Sequence, residues 1–392
     1  MLPGSRGRRP CLHTGVMRVR EMAAAVRVLA KGDLARYGGS GSSETARFER
    51  DLRTTIGVEH ALAVNSGTSA LIGALVGAGI GPGDEVLVPA FTWVATAAAP
   101  LAVGAVPVLV EIDESLTMDA ADLARKITPH TRAVIPVHML NLVCDMDAIM
   151  KVAADHDLVV IEDACQAIGV THRGRRVGSI GHAGAFSFNQ HKNITSGEGG
   201  AVLTNDRRIH ARAAMHHDVG SYERPGWIET EALFPGVNHR MPELSAAVLR
   251  PQLARIDAQL ARRRDRRRRV LDRVAGSSWS GVTVAPHHDP DAAVGLALTF
   301  DDPAQARAFG ALRGARRLLD SGRHVYANWQ PVLAKRAHHP RLDPHAWAHR
   351  EVDYGPDSCP ATLDVLARTC AVELAPEVPT PAFQVLTRAM GR

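Results

Sequence analysis

The chain has 392 residues, 45% hydrophobic and 22% charged, with a formal net charge of +5; this is the balance of a globular protein with a sizeable core in one or two domains, not of a disordered tail. Aromatics are only 4%, too few to interleave with the basic run Arg262–Arg269 as a nucleic-acid surface needs, so that run reads as the solvated face of a helix. No apolar run reaches the roughly 18–20 residues of a membrane span, because Val94–Val110 is interrupted by Pro100, Gly104 and Pro107.

Residues 1–16 are rich in Gly, Pro and Arg without periodicity and are expected to be disordered, with Met17 a second possible start and no secretory signal. The five cysteines, Cys11, Cys144, Cys165, Cys359 and Cys370, form no C-x-x-C pair, so neither a disulfide framework nor a metal site is expected, and a reducing cytoplasm is. Helical spacing covers Val19–Lys31 and Thr45–Ile56, joined by the connector Tyr37–Ser43 (YGGSGSS). Its glycines follow no strand and are not a dinucleotide fingerprint.

From His60 on, strand-like runs alternate with helical ones. Strands are expected at Ala61–Val64, Glu85–Val88, Val106–Val110, Ala133–Val137, Leu158–Ile161, Ala183–Phe188 and Gly200–Leu203, and helices at Thr68–Val76, Thr92–Leu101, Asp119–Lys126 and Met146–Asp155. This alternation predicts an α/β fold with a largely parallel sheet covered on both faces and a ligand site at the carboxyl ends of the strands. One long helix is expected from Pro242 to about Val274. A smaller α+β unit follows, with a strand at Ala293–Phe300 and helices at Pro303–Arg313 and Ala361–Ala371.

Three segments carry chemistry. In Ala63–Leu71 (AVNSGTSAL) a strand turns through Asn65-Ser66-Gly67 into a helix, whose first N–H groups and neighbouring hydroxyls suit a phosphate, although the same residues also make an ordinary helix cap. In Leu158–Ala167 (LVVIEDACQA) Glu162 and Asp163 end a buried strand; a carboxylate there needs a cation such as a pyridinium, or serves as a cap or a metal ligand. In Gly184–Gly200 (GAFSFNQHKNITSGEGG) Lys192 stands between a strand carrying Ser187 and a Gly-rich turn, a confined position for an amine that attacks an aldehyde, where a lysine is otherwise a surface charge. No G-x-S-x-G elbow or H-E-x-x-H helix points to a hydrolase.

With PAFTWVAT at Pro89–Thr96 and GVNHRMPELSAAVLRPQL at Gly236–Leu253, these segments resemble the DegT/StrS sugar aminotransferase family of the fold type I pyridoxal-phosphate (PLP) enzymes. The resemblance implies a three-layer fold with a mostly parallel central sheet and a smaller C-terminal α+β domain. It divides the chain into an N-terminal arm (1–45), a large PLP-binding domain (46–250), and a linker helix with the small domain (251–392). It also implies that Lys192 holds PLP as a Schiff base and moves the proton, that Asp163 pairs with the pyridine nitrogen and that Gln166 touches the phenolic oxygen. Trp93 would stack on the ring, Gly67, Thr68 and Ser187 would hold the phosphate, and Asn238 would reach the phosphate of a neighbouring subunit in a homodimer with shared sites. The implied reaction moves an amino group from glutamate or glutamine to a keto sugar or keto cyclitol, in nucleotide-sugar or natural-product (antibiotic) biosynthesis.

His191, before the lysine, and His182, where the family often has Asp, depart from the pattern, and VYANWQPV at Val325–Val332 only loosely matches the substrate-contacting stretch. A dehydratase, cyclising enzyme or epimerase on the same cofactor, or a non-catalytic regulatory homologue, are the other readings. Some family members that remove a hydroxyl carry His in place of the lysine, whereas the GEGG spacing puts Lys192 at that position.

Overall fold

The structure, a computed structural model, describes residues 17–37, 43–220, 233–355, 357–374 and 378–391. The first sixteen residues and most of the YGGSGSS connector lie outside them.

Alternating β- and α-forming runs build the first sheet. Its strands are β1 (His60–Val64), β2 (Glu85–Pro89), β3 (Val106–Val110), β4 (Thr131–Val134), β5 (Val159–Asp163), β8 (Ala183–Ser187) and β9 (Gly200–Thr204), with a small hairpin, β6 (Thr171–His172) and β7 (Arg175–Arg176), between β5 and β8. The seven strands lie in the order β1-β9-β8-β5-β4-β2-β3. Every pair is parallel except the two made by β9, which runs against β1 and β8. β2, β3, β8 and β9 are buried along their whole length, which explains why they read as continuous apolar runs instead of alternating ones.

The helices are α1 (Val19–Lys31), α2 (Glu44–Ile56), α3 (Gly67–Ala78), α4 (Ala95–Ala102), α5 (Ala120–Lys126), α6 (Met146–Asp155), α7 (Arg207–His217), α8 (Glu243–Leu253) and α9 (Ile256–Ala275). Two expectations fail here. α7 was not foreseen: its arginines and histidines hide the apolar stripe of Ile209, Ala213, Ala214 and Met215. The long helix after Pro242 is two helices, interrupted at Arg255, whose φ −117° and ψ 14° are not helical; Pro251, in the last turn of α8, has no N–H to continue the ladder.

The second sheet is antiparallel, in the order β10 (Val282–Val284), β11 (Ala297–Phe300), β13 (Thr369–Val372), β12 (Ala315–Arg317), and α10 (Pro303–Gly310) and α12 (Pro360–Arg368) pack with it. The helix expected to Ala371 stops at Arg368 and continues directly as β13, because Cys370 and Val372 turn into an apolar cluster around Phe300 and Phe309. Among the described residues no helix is long and apolar enough to cross a membrane.

Candidate active site

β1, β5 and β8 deliver the chemistry-bearing residues to one end of the first sheet. At the end of β1, Ser66 caps α3: its hydroxyl accepts the Ser69 amide at 3.0 Å, and the Ser69 hydroxyl donates to Asn65 at 2.7 Å. Gly67 is the first residue of α3, and a Cβ there would lie 2.6 Å from Ser187 Cβ and 3.0 Å from Cys165 Sγ. Only glycine lets the helix start come this close to the ends of β5 and β8. Gly67 and Ser187 are thereby brought together, with Thr68 next in the helix, and helix-start amides beside a hydroxyl are groups of the kind that bind an anion.

Asp163 ends β5 and is 5% exposed. Its carboxylate accepts the Thr96 hydroxyl at 2.8 Å and the Cys165 amide at 3.1 Å, and among the described residues no basic side chain pairs with it. A buried carboxylate with two neutral donors is short of a cation, the complement that a protonated pyridine supplies. Its neighbour Glu162 points the other way and is fully satisfied, by His138 at 3.0 Å and by the amides of Gly178, Ile180 and Gly181 at 2.6–2.8 Å. Burial alone would raise the pKa of Glu162, but the His138 hydrogen bond and charge and the backbone donors outweigh it and hold it below the ordinary carboxylate value. Alternation along the strand separates the two acids: one braces the turn after β7, the other faces the site.

Lys192 sits on a loop tied at its base by Phe188 N–H to Gly199 O (2.8 Å) and Gln190 N–H to Gly197 O (3.1 Å). Gln252 of α8 clamps Thr195 of that loop through both of its amide atoms, at 3.0 and 2.7 Å. The Lys192 charge acts on the Cys165 thiol, whose pKa burial, reinforced by Asp163, pushes well up, and on the His324 ring. Cys165, whose thiol stays protonated, thus lies beside Gly67 and Asp163 and within the field of Lys192. Asn193, next to the lysine, donates to Asn141 at 2.7 Å, and Gln166 accepts the Leu140 amide at 3.2 Å. Leu140 and Asn141 both have positive φ, 55° and 62°, a left-handed pair held by these contacts at some cost in strain.

Trp93 is 37% exposed, with its ring 5.1 Å from that of His324 and the Arg323 guanidinium 4.5 Å above it. The segment bearing His324 is stitched to that of Trp93 by Thr92 N–H to His324 O (2.9 Å) and Val94 N–H to Arg323 O (3.1 Å). His324 Nδ1 lies 3.1 Å from Ser321 O, and burial pushes the pKa of the ring down to about 4. The neutral ring donates from Nδ1 and keeps Nε2 as an acceptor. Sequence reading gave no role to Thr96 or Asn193, although both lie inside segments it singled out, nor to Asn141, Arg323 and His324, which reach the site only through folding. Asn238 is exposed, in a bridge with Asp218, and its side chain accepts the Arg240 amide at 3.2 Å. His182 is a structural residue, its Nδ1 accepting the Val160 amide at 3.0 Å, and His191 is exposed.

Solved structures share this architecture. 3-Amino-5-hydroxybenzoic acid synthase matches with a TM-score of 0.77 at 30% identity, over 95% of each chain, and DesV of S. venezuelae with 0.76 at 31%, over 96% of this chain and 94% of that one. The fold is that of the fold type I PLP-dependent transferases. Residues 17–378 match the DegT/DnrJ/EryC1/StrS aminotransferase family, and the chain belongs to it.

Among curated relatives, GDP-perosamine synthase of Caulobacter vibrioides is 46% identical over 220 residues, 55% of this chain and 58% of that protein. L-glutamine:2-deoxy-scyllo-inosose aminotransferase of Streptoalloteichus tenebrarius is 44% identical over 252 residues, 62% of this chain and 59% of that protein. The chain thus aligns with less than two thirds of the length of these two relatives.

Proposed function

We propose that the protein is a PLP-dependent aminotransferase that moves an amino group from glutamate or glutamine to the ketone of a sugar or cyclitol. The observation that carries the reading is the cation-poor Asp163, buried beside the thiol on which Lys192 also acts. The names of the relatives support the substrate class, since they refer to a GDP-linked amino sugar and to a cyclitol ketone aminated from glutamine.

Bound PLP supplies an electron-accepting ring that makes the proton beside the transferred nitrogen removable. Asp163 keeps a proton on the ring nitrogen, and Thr96 orients that carboxylate. Gly67, Thr68 and Ser187 would bind the phosphate, Gln166 would contact the phenolic oxygen, and Trp93 would cover a ring face. Lys192 would hold the cofactor through its side-chain nitrogen and, once released as a free amine, would serve as the base and acid that moves the proton. His324 Nε2, an acceptor beside Trp93, receives a substrate hydroxyl. Asn238 serves the phosphate of a second copy, so the working form is a homodimer. Its reduced thiols, all buried among the described residues, suit the cytoplasm.

The test is direct. Wild-type protein with PLP should be yellow, and borohydride should fix the cofactor on Lys192. Glutamate or glutamine should then shift its absorbance to the amine form, and a keto sugar should reverse the shift. A colourless protein, or no transfer from either donor, would sink the proposal.

A further inference from the structure

A second cluster lies where α6 begins. His172 is 3% exposed, and neither of its ring nitrogens has a hydrogen-bond partner. Buried polar nitrogens are normally satisfied, so an orphaned imidazole asks for a ligand. Its Nε2 stands 3.5 Å from Asp147 Oδ2 without forming a hydrogen bond. Donor atoms of Asp145, Asp147 and His172 all lie within 4.8 Å of one another. Two ligands that share a tetrahedral zinc, each about 2.0–2.2 Å from the metal, stand about 3.3–3.5 Å apart. The separation of His172 and Asp147 is that of a shared ligand edge.

A second histidine borders these three. His288 Nδ1 is 3.9 Å from Asp145 Oδ2, and its Nε2 is also buried without a partner. Asp145 caps α6 through Oδ1, which accepts the Ala148 amide at 3.1 Å, so Oδ2 is the atom turned to His288. The segment of His288 is already tied to that of His172, because Asp289 accepts the Arg173 amide at 2.7 Å.

We propose that Asp145, Asp147, His172 and His288 form a zinc site that clips the segment after β10 to the first-sheet unit. Imidazole with carboxylate is a donor set suited to zinc. Arg173, 69% exposed, pairs with Asp147 at 2.5 Å; on its long stem it gives way to the metal at little cost, because exposed ion pairs hold weakly.

The experiment uses the full chain loaded with PLP. It is equilibrated with zinc chloride, dialysed against metal-free buffer, and assayed for zinc per chain by mass spectrometry and for thermal midpoint with and without chelator. The wild type should retain one zinc per chain and lose midpoint temperature when chelated. Asp147→Asn, at a half-exposed position that tolerates the change, and His172→Asn should each weaken zinc binding tenfold or more, while Asp364→Asn, in the exposed pair with Arg368, should not. Failure of the wild type to retain zinc, or equal retention by both the Asp147 and His172 variants, overturns the site.

Discussion

At the scale of single residues, the site is set by what each side chain lacks. Asp163 accepts from a hydroxyl and an amide but has no cation, so Asp163→Asn keeps the shape, leaves one accepting oxygen in place of two, and removes the charge that holds a proton on the ring. The expected loss in kcat is about 100-fold or more, in line with removal of one preorganised electrostatic partner, with borohydride still fixing PLP on Lys192; unchanged kcat would separate Asp163 from catalysis. Gly67 is the steric counterpart. Gly67→Ala drives a methyl to 2.6 Å from Ser187 Cβ, and overpacking of this kind costs about 1–3 kcal/mol. Unfolding stability in a urea titration should fall by that amount, and PLP affinity measured by fluorescence titration should fall as well, because the methyl enters the place proposed for the phosphate.

At the scale of elements, caps and strand alternation decide what the sequence discloses. Asp206 caps α7 by accepting the amides of Arg208 and Ile209, so Asp206→Ala should lower unfolding stability by about 1 kcal/mol in a urea titration, with transfer activity intact. That cap was present in the sequence as an Asp before a helical stretch, yet α7 went unread because its stripe is interleaved with Arg and His. α1 and β3, by contrast, follow their patterns to the residue. Gly67, Asp163, Ser187 and Lys192 stood out because they lie at or just after apolar, strand-like runs, and the roles given to them come from the family resemblance.

Thr96, Asn141 and His324 were not legible, since each reaches the site across 50 or more positions of chain and no local period marks them. The same physics hid the cluster of Asp145, Asp147, His172 and His288. Its donors come from a helix start, a hairpin and a connection near the second sheet, and ligand-spacing rules search only short stretches of sequence.

At the scale of the whole molecule, acid is the agent that tests how burial has been used. Burial pushes His217, which is 1% exposed, down to about 4, with Arg36 and Arg240 opposing its charge and Asp218 favouring it. Burial likewise pushes down His210, facing His60, His217, Arg53 and Arg36, and His324, facing Arg316, Arg323 and Lys192, each to about 4. In the unfolded chain these rings take up protons near the ordinary value of about 6.5. Between that pH and about 4 the unfolded state therefore binds more protons than the folded one, and stability falls as pH falls, by about 1.4 kcal/mol per pH unit for each full proton of difference.

His217 carries the largest share, because water reaches the other two rings and weakens their contribution. Urea midpoints should be level from pH 8 to 7 and drop steadily from about 6.5 towards 4. His217→Gln, which keeps a polar group against Ala214 O but cannot titrate, should flatten that slope. A midpoint that stays level to pH 4.5 in the wild type, or a slope unchanged in the variant, would show that His217 binds protons alike in the folded and unfolded chain, and so that burial does not hold its ring neutral.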